Sequence, residues 1–472
     1  YIQWNNPEVT AVKNEWLLTN INSSATGNTI SIKNIEINGP GFSYTEKKGK
    51  HFSIDNGEIH AEAENFLINP GTDSAWTWSA GIKTADVKRL NHFNIKNGGQ
   101  LIIDEASLRN ISLSNAAVKN VAALLGANPS FEIINPGGSY IDSTNILSWN
   151  RFSFNQINHR LTIDSFRFKP VLPRDSFIAN NPYQTDYITA SAGRIYLEGA
   201  DIGYYMADST LKAGKLTIEN AVITAYRDAT KPFKGRLKIL PSLMIKRFPP
   251  LISFDTIQLN DATVTYSQVD RKTGKTGTIP LTHLSAVLSP VRNYDLNATD
   301  SLELNAHALL MDKAPIQLLA RESYNDSLAG FHMVLKADNA DMTFLNTALI
   351  PLASAKVRSG HLDTLVMDVN ANEYTAYGTM KMNYRNLKIG ILKKGDENKK
   401  NVWTRLINFA ANTFLLKHNN NNKRVGTVYF ERLRERSFFN YLVKMTISGI
   451  AYTTGLKKEK KKINEYRRKT KT

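Results

Sequence analysis

Apolar and polar residues alternate with a period of two through most of the first 390 residues, and that pattern dictates β-strands. The segments 29–37, 58–63, 101–113, 160–168, 194–202, 215–223, 252–266 and 374–392 all follow it. Helical periodicity is scarce. It is confined to 114–125, with Ser114 as N-cap and Gly126 as the stop, and to 341–355, kinked or broken at Pro351.

Within the strands a finer motif recurs: apolar, x, apolar, two mostly polar residues, apolar, x, apolar. Strict copies are Ile30-Ile32 with Ile35-Ile37, Leu161-Ile163 with Phe166-Phe168, Ile252-Phe254 with Ile257-Leu259, and Met382-Tyr384 with Leu387-Ile389. Their irregular spacing argues against a fixed-period solenoid. On an unbroken strand the two apolar pairs of each copy would point to opposite faces. An extra residue at Lys33-Asn34, Asp164-Ser165, Asp255-Thr256 and Arg385-Asn386 predicts a bulge that returns both pairs to one face. Each strand then has one long apolar face, and that face needs a cover. A second sheet would give a sandwich. Helices are too few. The third cover is non-protein: acyl chains lying in a curled sheet, with bulges and strand twist providing the curl.

The chain has no cysteine, which excludes disulfides, thiolate metal sites and cysteine nucleophiles. Its nine histidines never fall at metal-ligand spacing, and no His-Glu-x-x-His or Gly-x-Ser-x-Gly occurs. Gly274-Lys275-Thr276 lacks the first glycine of a phosphate loop, since Val269 stands there; it reads as a polar hairpin tip. Asp104 and Glu105 are adjacent on a strand and so face opposite ways. No catalytic residue, metal or cofactor is expected, although scattered catalytic groups would leave no local signature.

Of the net charge of +17, residues 391–472 carry +15, leaving the long body almost neutral. Arg432, Arg434 and Arg436 precede a weakly polar segment, 437–456, and a run of cations follows it. One reading is a solvated terminus. The other is a cation-flanked helix that docks on anionic headgroups through Phe438, Phe439, Tyr441 and Leu442, with Lys457, Lys458, Lys460, Lys461, Lys462, Arg467 and Arg468 beside them. A second amphipathic stretch, 402–416, leads into an Asn-rich linker at 419–422. Nucleic acid is not the expected partner, because the strand-rich body offers no basic groove. No run of about 20 apolar residues is present. The chain begins at Tyr1 without a methionine, a basic stretch or an apolar run, which fits a leader or anchor lying outside it.

The most specific stretch is 352–392, with Ser359-Gly360-His361-Leu362-Asp363-Thr364-Leu365, then a strand, then Ala376-Tyr377-Gly378-Thr379-Met380-Lys381-Met382-Asn383-Tyr384. With Arg436-Ser437-Phe438-Phe439-Asn440-Tyr441 and Phe254-Asp255-Thr256-Ile257-Gln258-Leu259, it resembles the C-terminal region of bacterial AsmA-like proteins, relatives of TamB. The likeness runs from about Leu251 onward and more loosely through the motif copies before it. It implies a mainly β fold, an elongated, curled antiparallel sheet with a hydrophobic groove and a C-terminal amphipathic helix. It also implies a periplasmic protein held at the inner membrane by a segment missing from this chain, passing phospholipids toward the outer membrane. Envelope proteins are further expected partners. The family supplies no catalytic residues.

On this reading Ile30, Ile32, Leu161, Ile163, Phe166, Phe168, Leu216, Ile218, Ile252, Phe254, Ile257 and Leu259 line the groove, with core packing as the alternative for each. The expected divisions are a β-groove region at 1–245, an AsmA-like β region at 246–400 and helices with a basic tail at 401–472. Two other functions stay open: a non-enzymatic scaffold of the envelope with a closed, dry core, and an enzyme acting on envelope glycans or lipids.

Overall fold

The alternating segments fold as strands. A computed structural model describes residues 17–19, 23–26, 29–40, 43–45, 50–54, 58–70, 76–94, 99–115, 130, 132–200, 210–297, 299–392 and 417–455, with the backbone alone before His60 and at 63, 66, 70, 76, 89–94 and 391. Among these, 24 strands join in one mixed, mostly antiparallel sheet, so the fold is mainly β. The segment expected at 160–168 is the strand Arg160–Pro170, and that at 374–392 is Thr375–Ile391. The segment expected at 215–223 divides into Thr210–Glu219 and Val222–Asp228 at Asn220, whose backbone is left-handed (φ 52°). Val222–Asp228 pairs in parallel with Leu251–Val269, a long-range choice that local alternation does not encode.

The described residues divide into two compact units. The first takes residues up to Pro173 with Thr189–Asn220 and Pro250–Asp255. The second takes Arg174–Ile188, Ala221–Pro249 and residues from Thr256 on. The boundary expected after residue 245 falls inside the short helix Pro241–Lys246, within the second unit.

Two of the four strict copies carry a left-handed residue at the expected step. Asn386 is left-handed (φ 53°), and Tyr384 and Leu387 on either side of Arg385-Asn386 both lie in one hydrophobic core at 0% and 1% exposure. On an unbroken strand residues three apart cannot share a face. Ser165 holds the same conformation (φ 56°) at the same place in its motif. At the third site neither Asp255 nor Thr256 has positive φ; the left-handed residue of this strand is Asp261 (φ 50°), beside His283 (φ 49°) on the neighbouring strand, where the register shifts. The side chains around Lys33-Asn34 lie outside the described residues.

The core of the second unit is built on Phe331–Asp341, Ala355–Ala371, Thr375–Ile391 and Val425–Glu431, around Met367, Val369, Met380, Met382 and Val428. The segment 341–355 is helical, but it does not break at Pro351. Asp341 caps a 3₁₀ turn, Met342–Leu345, by accepting from the Thr343 amide (2.8 Å), and the α-helix Asn346–Ala353 follows. Pro351 sits in its last turn, and Ser354 ends it in the left-handed region (φ 50°). The expected helix at 114–125 lies outside the described residues beyond Asn115, as do 402–416 and the cations from Lys457 on.

The Asn-rich segment is a clasp rather than a linker. Asn420 is buried and donates to the carbonyls of Met382 (2.7 Å) and Arg424 (3.0 Å), while Asn422 and Asn383 exchange hydrogen bonds of 2.8 and 2.9 Å.

The helix Phe438–Thr453 begins at Ser437, whose hydroxyl accepts from the Asn440 amide (3.3 Å). Its buried residues Tyr441, Met445, Ser448 and Gly449 recur at helical spacing and face the sheet. Two glycines set the close approach. A Cβ on Gly426 would stand 2.6 Å from the Gly449 carbonyl oxygen and 2.9 Å from the Thr453 amide nitrogen, both backbone atoms of the helix. Gly426→Ala must push the helix away and is expected to lower stability by about 1–3 kcal/mol in a denaturant titration. An unchanged midpoint would mean that the helix does not rest on this strand.

Candidate functional site

Strand register places apolar residues in a continuous row across the first unit. Ala61, Ala85, Leu108, Ile133, Phe154, Leu161, Leu197 and Leu216 pair in succession over eight strands. At ~4.8 Å per strand step the row extends roughly 34 Å. The positions one residue away form a second row, Glu62, Thr84, Arg109, Glu132, Asn155, Arg160, Glu198 and Lys215, on the same eight strands. Because adjacent strand residues point to opposite faces, the sheet has an apolar side and a charged side.

The predicted residues of this unit join that apolar side. Leu161 and Leu216 belong to the row itself. Ile163 and Ile218 belong to a parallel row, Phe152, Ile163, Ile195, Ile218, which ends at Asn135. Asn135 is buried, and its polar atoms are satisfied internally by Gly137 O (2.8 Å) and the Trp149 indole N–H (2.5 Å). Beyond the Ser165 kink, Phe168 pairs with Leu147 and Ala190, and Phe166 with Ala192. Leu161, Ile163, Phe166, Phe168, Leu216 and Ile218 are all half-buried. The side chains of Ile30 and Ile32 lie outside the described residues.

Ile252 and Phe254, at 7% and 6% exposure, are core residues and offer little surface to a ligand. Ile257 and Leu259 are half-buried and start a comparable pair of rows in the second unit. Leu259 leads through Ala286, Ala306, Leu318, Leu335 and Met367 to Met380. There the rows close, because Met380 meets the helix Phe438–Thr453.

The charged side of the first unit is knit together. Arg194 pairs with Asp164 (2.7 Å), the Arg160 guanidinium lies 4.7 Å from the Tyr196 ring centre, and the Tyr196 hydroxyl donates to Glu219 (2.8 Å). That hydrogen bond to a carboxylate, reinforced by burial, holds the Tyr196 pKa above its ordinary value. Such cross-strand pairs fix the register on which the apolar rows depend.

The residues expected to touch a membrane through the C-terminal helix are placed otherwise. Tyr441 is 1% exposed, with its ring 6.2 Å from that of Phe430. Phe438 packs edge-on against Phe331 (5.9 Å), Phe439 lies 5.5 Å from Tyr266, and Leu442 packs on the core. The helix is thus the cover of the second unit's sheet, and its apolar face is already in use. Lys457, Lys458, Lys460, Lys461, Lys462, Arg467 and Arg468 lie outside the described residues.

Among the described residues, no three His, Asp or Glu side chains converge as metal ligands, and no helix is long and apolar enough to cross a membrane. The exposed histidines form local pairs: His283 with Asp261 and His332 with Asp368, each at 2.9 Å. Every described helix belongs to the second unit. No family model matches the chain, and no curated protein matches it.

Proposed function

We propose that the chain binds phospholipid acyl chains along the apolar side of its first unit and conducts them between the inner and outer membranes, as its resemblance to AsmA-like proteins implies. The observation that carries this reading is the eight-strand apolar row backed by a row of polar and charged residues. Moving an acyl chain through water costs ~0.8 kcal/mol for each CH₂ exposed. Phe154 and Leu197 are buried in the row, at 1% and 6% exposure, and the surface that removes part of that cost comes from half-buried neighbours such as Leu108, Ile133, Leu161, Leu216 and Ile163. The chemistry is passive. The chain's role is to shield and align, in a periplasmic setting, and it needs no cofactor and no catalytic residue. Envelope proteins are its further partners.

A photoreactive amino acid at Leu161, with Arg160 on the opposite side as control, tests the reading in cells. Crosslinked phospholipid is expected at 161 and absent at 160. A folded protein that captures no lipid at 161 would sink the conduit and favour a dry scaffold.

A further inference from the structure

The segment 229–249 carries six basic residues and no acidic one. Residues 232–238 are exposed one after another. Leu237 and Met244 are 62% and 59% exposed, and Phe248 and Phe233 follow at 50% and 38%. A single exposed leucine is ordinary. Four large apolar side chains held in solvent on one stretch, with cations between them and no carboxylate, have the composition of a surface that meets anionic lipid.

The exposure is built in. At one end the Pro232 carbonyl accepts from the Gln184 amide (2.9 Å). At the other the Lys238 amide donates to the Arg434 carbonyl (2.8 Å), and the buried Arg432 donates to the Lys238 carbonyl. Leu240, 1% exposed, then anchors the short helix Pro241–Lys246 in the core, and Asn293 holds the Phe248 carbonyl (3.0 Å). Aromatic rings and cations stack on the outer side: Lys234 lies 4.9 Å from the Tyr183 ring centre and Arg436 3.8 Å from that of Phe233. Such rings, apolar in body and paired with cations, suit the headgroup layer.

We propose that residues 232–248 form a membrane-surface dock, in which Phe233, Leu237, Met244 and Phe248 enter the headgroup region of an anionic bilayer while Lys234, Arg236 and Arg247 meet lipid phosphates. An acidic polypeptide would satisfy the cations but leave Leu237 and Met244 in water. A bilayer satisfies both. The inference deepens the reading above by naming where the chain meets its lipid. Vesicle binding and crosslinking at Leu161 are separate readouts, so either can fail alone.

Because the chain contains no cysteine, Leu237→Cys gives a single site for a polarity-sensitive fluorophore. Ile157→Cys, at a 70% exposed apolar position of the first unit, is the comparison. With vesicles of phosphatidylcholine and phosphatidylglycerol, the emission at 237 is expected to shift to the blue, and that at 157 to stay put. Phosphatidylcholine alone, or high salt, should abolish the shift. Lys234→Glu combined with Arg236→Glu should weaken flotation with the anionic vesicles about tenfold or more. Replacing Lys460, Lys461 and Lys462 with Gln should leave the shift at 237 intact. An unshifted probe at 237, or vesicle binding lost only in the tail variant, overturns the dock. So does tight binding to polyglutamate by a protein that ignores the vesicles, which would point to an acidic protein partner.

Discussion

Glu373→Ala is expected to lower the stability of the second unit by about 3–5 kcal/mol, because it strands a guanidinium that has no access to water. The Arg432 side chain is 0% exposed, and its charge is balanced by Glu373 at 3.0 Å. Glu373 sits in the turn after Ala355–Ala371 and also takes Arg434 at 3.1 Å, while Arg432 reaches the Lys238 carbonyl and lies 5.8 Å from the Tyr441 ring centre. One carboxylate thus ties together the turn, the segment leading to the C-terminal helix and the exposed loop. Arg434→Ala removes the more exposed partner and should cost about 0–1 kcal/mol. Urea titrations of the three proteins decide it. A Glu373→Ala loss no greater than that of Arg434→Ala would mean that water reaches Arg432. The variant should also speed amide exchange at Lys238, whose neighbourhood the pair holds.

The sequence contained the strands and the rule that folds them into a two-faced sheet. Alternation identifies a strand because side-chain direction has a period of two, and a doubled polar step such as Arg385-Asn386 marks a kink because an apolar residue cannot otherwise keep its face. The same step at Asp255-Thr256 carries no left-handed residue; Asp261 and His283 take that conformation together further along, and a pair formed across two strands is not encoded in one segment. The C-terminal helix was legible as the cation-flanked segment 437–456, but its partner was not. An apolar helix face reads the same whether a membrane or a sheet covers it, and only the fold brings Met380 and Gly426 to Tyr441, Met445 and Gly449. The segment 229–249 carries a readable signal, six cations without an acid, but that composition fits a solvated loop as well as a dock. Only the fold separates the two, because it anchors Leu240 in the core and leaves Leu237 in solvent.

Lys444→Met is expected to stabilise the protein at neutral pH, by about 3 kcal/mol at most, and to lose that advantage in alkali. Lys444 lies on the helix Phe438–Thr453, and burial, with a smaller contribution from the neighbouring Arg436 charge, lowers its pKa from the usual 10.5 to about 8. The sign follows from proton counts. Below about pH 8 both folded and unfolded chains hold the proton, and the folded chain bears the full penalty of a half-buried ammonium. Between about 8 and 10.5 the unfolded chain binds more protons than the folded one, so wild-type stability rises with pH through this window. Above it the lysine is neutral in both states and the penalty is gone. Other groups titrate in the same range, so the quantity to follow is the difference between wild type and Lys444→Met, measured by denaturant titration from neutral pH to about pH 10.5. A difference that shrinks across the window places the lysine against the core, where the helix that covers the second unit's sheet would put it. A constant difference would mean that Lys444 keeps its water in the folded chain, and that the helix sits less closely on the sheet than Gly426 and Gly449 allow.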